Sequence, residues 1–509
     1  MTVRFSRLLT LMVGAICGFA APMYAATCDD LAKLALPNTT IDKAQLVAAG
    51  SFTPPGGGRS SAEFAALPAF CRVSATVKPS TDSDIKVEVW LPASGWNGKF
   101  QGVGNGGWAG VISYPAMATA VTNGYATAST DTGHVGNNAS FALGHPEKLV
   151  DMGYRAIHEM TVQGKAVTQS FYGRAATQSF FNGCSLGGRQ AITEAERYPE
   201  DYNGILAGAP AIYNMQIHVG RVAVNALAHR SPDAYIPPEK YPAVHDAVMN
   251  ACDALDGVKD GVLENPMQCR FDPQVLACKG ADSATCLTPP QVETVRQMYA
   301  PMKTGKAGSM PALLQPGTEL SWGTLAGPEP VGTALEPMRY IVFKDPSWTV
   351  ARFNTATDFD RAMDADRDNV LSLTDPNLRP FFDRGGKLLM YHGWQDPQVP
   401  AQSSPRYFND VLKTVGPAAA GTSIQLYMIP GVNHCQGGPG TDTFDKMAAI
   451  ESFVATGKAP ASILASHRTN GTVDKTRPLC PFGQVAKWNG TGSTNDAAHF
   501  SCVAERGAR

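Results

Sequence analysis

The pentapeptide Gly-Cys-Ser-Leu-Gly at residues 183–187 is the feature that most constrains how this chain can fold. It has the form G-x-S-x-G and stands between a strand-like segment, residues 177–181, and a helix-like segment, residues 188–195. A serine becomes a useful nucleophile when a sharp strand-to-helix turn lifts its hydroxyl clear of a sheet. Glycines on either side permit that turn, because a Cβ there would collide with the neighbouring strand or helix. The pattern predicts a nucleophilic Ser185 in an α/β fold; an ordinary glycine turn is the alternative.

The order of the other segments predicts an α/β-hydrolase core that is interrupted by a second domain. Residues 211–375 lose the alternation of strands and helices and are rich in Pro, Gly, Asp and Met. We therefore expect a catalytic domain made of residues 26–210 and 376–509, with residues 211–375 as an inserted lid domain. The segments with strand periodicity are residues 85–91, 99–104, 387–392 and 423–429, and those with helical periodicity are residues 152–170 and 443–456.

The N-terminus has the pattern of a secretory signal. Arg4 and Arg7 precede an apolar run at residues 8–21, and small residues follow near Ala25. We therefore expect residues 1–25 to be removed and the mature chain to be secreted or periplasmic; an uncleaved anchor is the alternative. No later segment is long and apolar enough to span a membrane.

The cysteine content fits an exported protein. Of eleven cysteines, Cys17 lies in the signal, and an even number remains, which predicts five disulfides. Zinc binding is the alternative for clustered cysteines, but no C-x-x-C pair occurs. Nearest-neighbour pairing would join Cys252 with Cys269, Cys278 with Cys286, and Cys480 with Cys502, although spacing alone does not establish these bonds.

Two late strand-like segments end in residues that complete a catalytic triad. An α/β-hydrolase supplies nucleophile, acid and histidine in that order along the chain. Asp396 follows the strand at 387–392, and His434 follows the strand at 423–429. We predict Asp396 and His434 as the partners of Ser185. His392 is the rival base, and it is otherwise a candidate to line the substrate pocket.

The cysteines next to the proposed nucleophile and base support this assignment. Cys184 precedes Ser185, and Cys435 follows His434. If the serine hydroxyl reaches the imidazole, the two neighbouring cysteines lie close enough for a disulfide. A Cys184–Cys435 bond would hold nucleophile and base together; two buried free thiols are the alternative.

A glycine-rich segment is a candidate for one half of the oxyanion hole. The N–H group after the nucleophile, on Leu186, normally supplies the first donor. Residues 104–110 follow a strand and contain four glycines, and we choose Gly106 as the second donor. A phosphate-binding loop is unsupported, because the Gly-Lys-Ser/Thr signature is absent. A plain surface loop is the remaining alternative.

An acidic loop in the inserted segment predicts a structural calcium site. Asp253, Asp256 and Asp260 place three carboxylates within eight residues. Ca²⁺ prefers such oxygen ligands, and the carbonyls of Val258 and Val262 would complete the set. The spacing is not that of an EF-hand, and a solvated acidic turn is the alternative.

Taken together, these residues resemble the tannase/feruloyl esterase family of secreted serine esterases, which includes mono(2-hydroxyethyl) terephthalate hydrolase. The distinctive pattern is Cys-Ser, Asp, and His-Cys, and it is matched here by residues 184–185, Asp396 and residues 434–435. The order of the ten cysteines and the acidic loop are also similar, so the resemblance extends from Cys28 to Cys502.

The resemblance implies a lid between nucleophile and acid, a calcium ion in the lid, and esters of aromatic acids as substrates. It implies the disulfides 28–71, 184–435, 252–269, 278–286 and 480–502. Lid aromatics would contact the acyl ring, for which Trp348, Phe353 and Phe359 are candidates. Arg361 is a candidate to meet a substrate carboxylate in terephthalate-type enzymes; a solvated arginine is the alternative.

We therefore expect a secreted serine carboxylesterase that acts on feruloyl, galloyl or terephthalate-type esters. A serine peptidase or amidase on the same fold is one rival, and a non-catalytic calcium-stabilised binding module is another. Lys plus Arg number 42 against 44 for Asp plus Glu, so no basic excess exists to neutralise phosphates, and nucleic acid is not an expected partner. We expect a monomer or homodimer.

Overall fold

A computed structural model describes residues 26–55, 62–329, 331–373 and 375–505. The predicted signal at residues 1–25 lies outside the described residues. Within them, the strands in chain order are β1 (Thr39–Val47), β2 (Phe70–Val77), β3 (Ile85–Pro92), β4 (Lys99–Val103), β5 (Ala109–Gly110), β6 (Ala126–Thr130), β7 (Gly136–Asn137), β8 (Gln178–Cys184), β9 (Gly204–Gly208), β10 (Met302–Lys303), β11 (Ser309–Met310), β12 (Lys387–Gly393), β13 (Ile424–Ile429), β14 (Ile463–Thr469), β15 (Thr472–Leu479), β16 (Gln484–Trp488) and β17 (Phe500–Ala504).

The helices of the same residues are separated by short 3₁₀ and π turns. They are α1 (Ala62–Ala65), α2 (Tyr114–Thr122), α3 (Pro146–Val150), α4 (Ala156–Tyr172), α5 (Leu186–Arg197), α6 (Asn214–Ala228), α7 (Tyr241–Cys252), α8 (Pro289–Met298), α9 (Gly323–Ala326), α10 (Gly332–Pro337), α11 (Asp358–Ala365), α12 (Arg379–Asp383), α13 (Ser403–Val415), α14 (Pro417–Ala420) and α15 (Lys446–Thr456). None of these helices combines the length and the apolar character needed to cross a bilayer.

A nine-stranded sheet forms the centre of the molecule. Its strand order is β1-β2-β3-β6-β4-β8-β9-β12-β13. The pairs at the β1 end are antiparallel, whereas every neighbouring pair from β6 to β13 is parallel. The carboxyl ends of β8, β12 and β13 therefore lie at one edge of the sheet, where ligands of α/β sheets bind. The α/β-hydrolase-type core predicted from the sequence is confirmed.

The sheet is covered on both faces, which explains why its inner strands are apolar. Every residue of β9 is buried, as is almost every residue of β12. Parallel strands that are buried on both faces lose the in-out alternation of polarity. The main core joins side chains of the sheet, such as Ile205 and Leu388, with α4 and α5 through Ile157 and Ile192.

The segment between β9 and β12 supplies most of a second hydrophobic cluster, into which the helices α6, α7, α8 and α11 pack. Its largest fully buried side chains are Trp322 and Trp348. Leu186 and Trp108 from the catalytic side belong to the same cluster. The inserted segment is therefore packed against the residue that follows Ser185, while the predicted boundaries of the lid domain remain predictions.

The C-terminal segment contains strands beyond those that the sequence periodicity predicted. It contains two antiparallel hairpins, β14–β15 and β16–β17. The helix that precedes them begins at Lys446 rather than near residue 443, because the Asp445 side chain caps it by accepting from the Ala448 N–H. Thr443 is instead paired through its backbone with Ser466 of β14.

Five disulfides are present, and they are the five that the family resemblance implied. They cross-link sequence separations from 8 to 251 residues. The bonds are Cys28–Cys71, Cys184–Cys435, Cys252–Cys269, Cys278–Cys286 and Cys480–Cys502.

Candidate active site

Ser185 occupies a strained turn between β8 and α5. Its φ of 66° and ψ of −122° lie in a region that residues with a Cβ rarely adopt. The turn is possible because a Cβ on Gly183 would stand 2.3 Å from the Gly187 carbonyl oxygen. A Cβ on Gly187 would likewise stand 2.9 Å from the Asn105 oxygen. The turn holds Ser185 at the carboxyl edge of the sheet, where Ser185 is half-buried.

His434 connects the serine to a carboxylate. Its Nε2 lies 2.7 Å from Ser185 Oγ, and its Nδ1 lies 2.6 Å from Asp396 Oδ2. A carboxylate only accepts, so Nδ1 carries the proton and Nε2 is free to accept the serine hydroxyl hydrogen. This tautomer is the one that a general base needs. The His434 side chain keeps 13% of its surface exposed, so the group can be reached from solvent.

The Asp396 carboxylate is buried and receives four hydrogen bonds. The N–H groups of Gln398 and Val399 donate to Oδ1 at 2.7 and 2.9 Å. Both His434 and His392 donate to Oδ2. Burial alone would raise the pKa of Asp396, but the His434 charge and the two histidine hydrogen bonds hold it well below its usual range. The carboxylate therefore stays ionised and fixed in orientation.

The structure places His392 behind the acid rather than in a pocket. Its side chain is 0% exposed, its Nε2 lies 3.0 Å from Asp396 Oδ2, and its Nδ1 lies 2.8 Å from Ser404 Oγ. Nε2 donates to the carboxylate, so Nδ1 accepts from the serine hydroxyl. This position differs from the pocket-lining place considered from the sequence. The spacing of four residues between His392 and Asp396 was the only available signal of this contact.

The disulfide beside the site joins the turns that carry serine and histidine. Cys184 and Cys435 have a Cα–Cα distance of 6.1 Å. Cys435 has a φ of 66°, which is uncommon for a residue with a Cβ. The covalent link therefore fixes a backbone conformation next to His434 as well as the distance between the two turns.

The glycine-rich segment after β4 lies against the start of α5. The Gly187 N–H donates to the Asn105 oxygen at 2.8 Å, and the Asn105 N–H donates to Gln190 Oε1 at 2.9 Å. Leu186 is the first residue of α5, so its N–H has no partner within the helix. Gly106 follows Asn105 directly and is exposed. The assignment of Leu186 and Gly106 as oxyanion donors remains a prediction that this placement supports.

A contact from the inserted segment reaches the acid loop and was not predicted from the sequence. Arg221 of α6 is buried, and its Nε donates to the Gln398 oxygen at 2.8 Å. Burial lowers the pKa of Arg221 to about 10, against the opposing influence of the Asp396 charge. No motif marks this arginine, because the contact joins residues 177 positions apart.

The candidate pocket aromatics lie within the cluster of the inserted segment. Trp348 is buried and stacks on Phe343 at 4.9 Å, which is a packing position rather than an exposed pocket wall. Phe353 is half-buried, 6.4 Å from the buried Phe359. Arg361 is exposed, with its guanidinium 4.9 Å from the Phe343 ring centre. Trp348 and Arg361 thus both contact Phe343.

The acidic loop has the charge of a cation site but only part of its geometry. Burial and the neighbouring carboxylates of Asp260 and Asp253 raise the pKa of Asp256 to about 6. Asp260 instead pairs with Arg477 and Lys475, at 2.6 and 3.5 Å. Among the described residues, the groups of three ligand atoms that lie within 4.8 Å of one another are elsewhere. The donor chemistry fits Ca²⁺, whereas Asp260 faces two cationic side chains.

The chain matches the sequence model of a family described as tannase and feruloyl esterase, over residues 71–330 and 336–503. Both matched stretches contain parts of the site: the first includes Ser185, and the second includes Asp396 and His434.

Individual relatives cover nearly the whole chain. An uncharacterized esterase of Xanthomonas campestris is 38% identical over 95% of this chain and 92% of its own length. A probable feruloyl esterase B-2 of Aspergillus terreus is 32% identical over 94% of this chain and 95% of its own. The crystal structure of feruloyl esterase B from Aspergillus oryzae superposes with a TM-score of 0.87 at 31% identity, covering 94% of this chain and 99% of that one.

Proposed function

Because the chain belongs to the tannase and feruloyl esterase family and is a carboxylic ester hydrolase, we propose that it cleaves esters of aromatic acids through an acyl-enzyme on Ser185. The observation that carries this proposal is the unbroken hydrogen-bonded chain from Ser185 through His434 to Asp396. Such a chain is what a weakly acidic hydroxyl needs to act as a nucleophile near neutral pH.

In the first half of the reaction, Ser185 Oγ attacks the ester carbonyl carbon while His434 Nε2 takes its proton. The Asp396 carboxylate stabilises the imidazolium that results. The N–H groups of Leu186 and Gly106 would donate to the developing oxyanion. The imidazolium then returns the proton to the leaving alcohol, and the acid remains bonded to Ser185 as an ester.

In the second half, a water molecule replaces the alcohol. His434 takes a proton from the water as it attacks the acyl carbon, and the same oxyanion donors serve again. The proton then passes to Ser185 Oγ, the aromatic acid leaves, and the enzyme returns to its starting state. Asp396 keeps its charge throughout, which its four hydrogen bonds favour.

We propose hydroxycinnamoyl esters as the preferred substrates. The Aspergillus terreus relative, which covers 94% of this chain, is named as a probable feruloyl esterase, and the feruloyl esterase B structure also aligns over 94% of it. A terephthalate monoester would need a cation to bind its free carboxylate. The candidate cation, Arg361, is exposed and lies over the Phe343 ring, so we rank terephthalate monoesters last. Galloyl esters are the second choice.

A substrate panel combined with Ser185→Ala tests this function. The wild type should hydrolyse methyl ferulate and methyl gallate in preference to a terephthalate monoester and to a p-nitroanilide amide. Ser185→Ala should lower kcat by about a million-fold, because the serine, histidine and aspartate act as a unit. Unchanged circular dichroism would show that the variant folds. Retained ester hydrolysis by that variant, or preferred cleavage of the amide, would contradict the proposal.

We further propose a structural calcium ion in the acidic loop. Asp253, Asp256 and Asp260 and the carbonyls of Val258 and Val262 would hold it. Bound there, calcium would neutralise clustered carboxylates and tie the loop together, and it would supply no chemistry to the ester. The three carboxylates of Asp253, Asp256 and Asp260 within one short loop support this proposal.

We also propose that the protein is exported. Its five disulfides support this, because such bonds persist in oxidising compartments. The predicted signal at residues 1–25 lies outside the described residues, so N-terminal sequencing of the mature protein is the test.

A further inference from the structure

A second cluster of metal-ligating side chains lies at the far end of the nucleophile helix. His158 of α4, Glu194 of α5 and Asp201 in the turn before β9 each bring one ligand atom within 4.8 Å of the others. Glu194 lies nine residues after Ser185, so the helical rise separates the two positions by about 13 Å. The cluster is therefore separate from the reacting atoms.

Glu194 is a buried carboxyl group that accepts no hydrogen bond from the described residues. It is 0% exposed, and neither of its carboxylate oxygens has a hydrogen-bond donor among the described residues. An ionised carboxylate that is buried without a counter-charge is strongly unfavourable. In the absence of a cation, burial, the Asp201 charge and a hydrogen bond that the protonated carboxyl donates to Asp201 raise the pKa of Glu194 well above its usual value.

The side chains around the cluster leave one negative charge unbalanced when both carboxylates are ionised. Lys165 Nζ lies 4.0 Å from Asp201 Oδ1 and donates to the Asp201 main-chain oxygen. With His158 neutral, the one ammonium group balances one of the two carboxylates, and an ionised Glu194 remains without compensation. A dication between the two carboxylates would supply it.

His158 completes a donor set that suits zinc. Its Nδ1 lies 2.7 Å from Asp201 Oδ2, and its ring stacks on Tyr198 with centres 3.8 Å apart, which fixes the ring plane. One imidazole nitrogen and two carboxylate oxygens form a ligand set that Zn²⁺ accepts, with water as a fourth ligand. The His158 side chain keeps 30% of its surface exposed, which gives an ion a path to the buried carboxylates.

We propose that His158, Glu194 and Asp201 bind one structural Zn²⁺ ion that ties α4, α5 and the turn before β9 together. The ion enters as the Glu194 carboxyl releases its proton to solvent. His158 coordinates through Nδ1, and its own proton moves to Nε2, so one proton leaves for each ion bound. The ion steadies the far end of α5 and takes no part in ester cleavage.

Zinc titration of the calcium-loaded protein tests the site. The protein is stripped of metal with a chelator, reloaded with excess Ca²⁺ and titrated with ZnCl₂. Bound zinc is measured by elemental mass spectrometry, and Tm is measured by calorimetry. We expect one zinc per chain and a higher Tm. Glu194→Gln mimics the neutral carboxyl, so the variant should fold. It should bind zinc at least about 100-fold more weakly, because removing a direct ligand costs more affinity than changing a residue that only supports a ligand.

Glu196→Gln is the matched control, because it makes the same substitution on the same helix outside the cluster. It should bind zinc as the wild type does. Anomalous diffraction at the zinc edge on wild-type crystals gives a measurement that needs no variant, and it should show a peak between the three side chains. Equal zinc binding by Glu194→Gln, a peak only elsewhere, or no zinc bound would overturn the proposal.

Discussion

At the scale of single residues, the arrangement around Asp396 explains how a buried carboxylate can serve the site. Four donors converge on it, two of them from histidines that lie 38 and four residues away. The sequence predicted Ser185, Asp396 and His434 from motif order, because the order of triad members reflects strand order in the sheet. It did not predict the role of His392, because a spacing of four residues between a histidine and an acid does not by itself indicate a contact.

We predict that His392 acts as a positioning residue for Asp396. His392→Phe should lower kcat by roughly 10- to 100-fold with little change in KM, because it removes a hydrogen bond to a charged group worth about 1.5–3 kcal/mol. His392→Gln keeps an N–H donor and should recover part of the loss. Steady-state kinetics on methyl ferulate, with Tm measured for both variants, checks this. Equal activity of His392→Phe and the wild type would rule the role out.

At the scale of elements, covalent and steric constraints fix the turns that bear Ser185 and His434. The strands that carry the three residues could be predicted from apolar runs, and the glycine requirement of the Ser185 turn from the pentapeptide alone. The start of α15 at Lys446 could not be predicted from the sequence. It depends on the Asp445 cap and on the backbone pairing of Thr443 with β14. The hairpins of the tail were missed because their strands are half-exposed and carry little apolar alternation.

We predict that the disulfide between Cys184 and Cys435 is needed for activity more than for folding. Replacing both cysteines by alanine should cost about 2–4 kcal/mol in unfolding free energy and lower kcat by roughly 100-fold, because small displacements of reacting groups are costly. The matched control replaces Cys278 and Cys286, whose bond lies on the surface of the insertion. That control should lose stability but keep kcat. Parallel losses of kcat in both double variants would contradict the prediction.

At the scale of the whole molecule, the insertion contacts the catalytic side at several separate places. Trp108 and Leu186 share its hydrophobic cluster, Arg221 holds the acid loop through Gln398, and Val262 of the acidic loop lies against Gly431. A Cβ on Gly431 would stand 3.0 Å from a Val262 methyl group. These long-range contacts could not be predicted, because they depend on how two separately patterned segments meet. They place the acidic loop next to the loop that bears His434.

We predict that removing calcium destabilises the molecule and lowers activity with it. Chelation should lower Tm, and re-addition of Ca²⁺ should restore it, because the clustered carboxylates then lose their counter-charge. Asp253→Asn and Asp256→Asn should weaken this response, whereas Asp272→Asn, an exposed acid outside the loop, should leave it intact. Calorimetry measures Tm with and without chelator. The same Tm in both conditions would contradict the proposed calcium site.

The proposal that one serine performs the chemistry is tested most directly by active-site labelling. The protein is treated with a fluorophosphonate, residual methyl ferulate hydrolysis is measured, and the labelled residue is located by peptide mass spectrometry. We predict one label per chain, on the peptide that contains Ser185, with activity lost in proportion to labelling. Full activity after complete labelling, or inactivation by a label on a different side chain, would contradict the account.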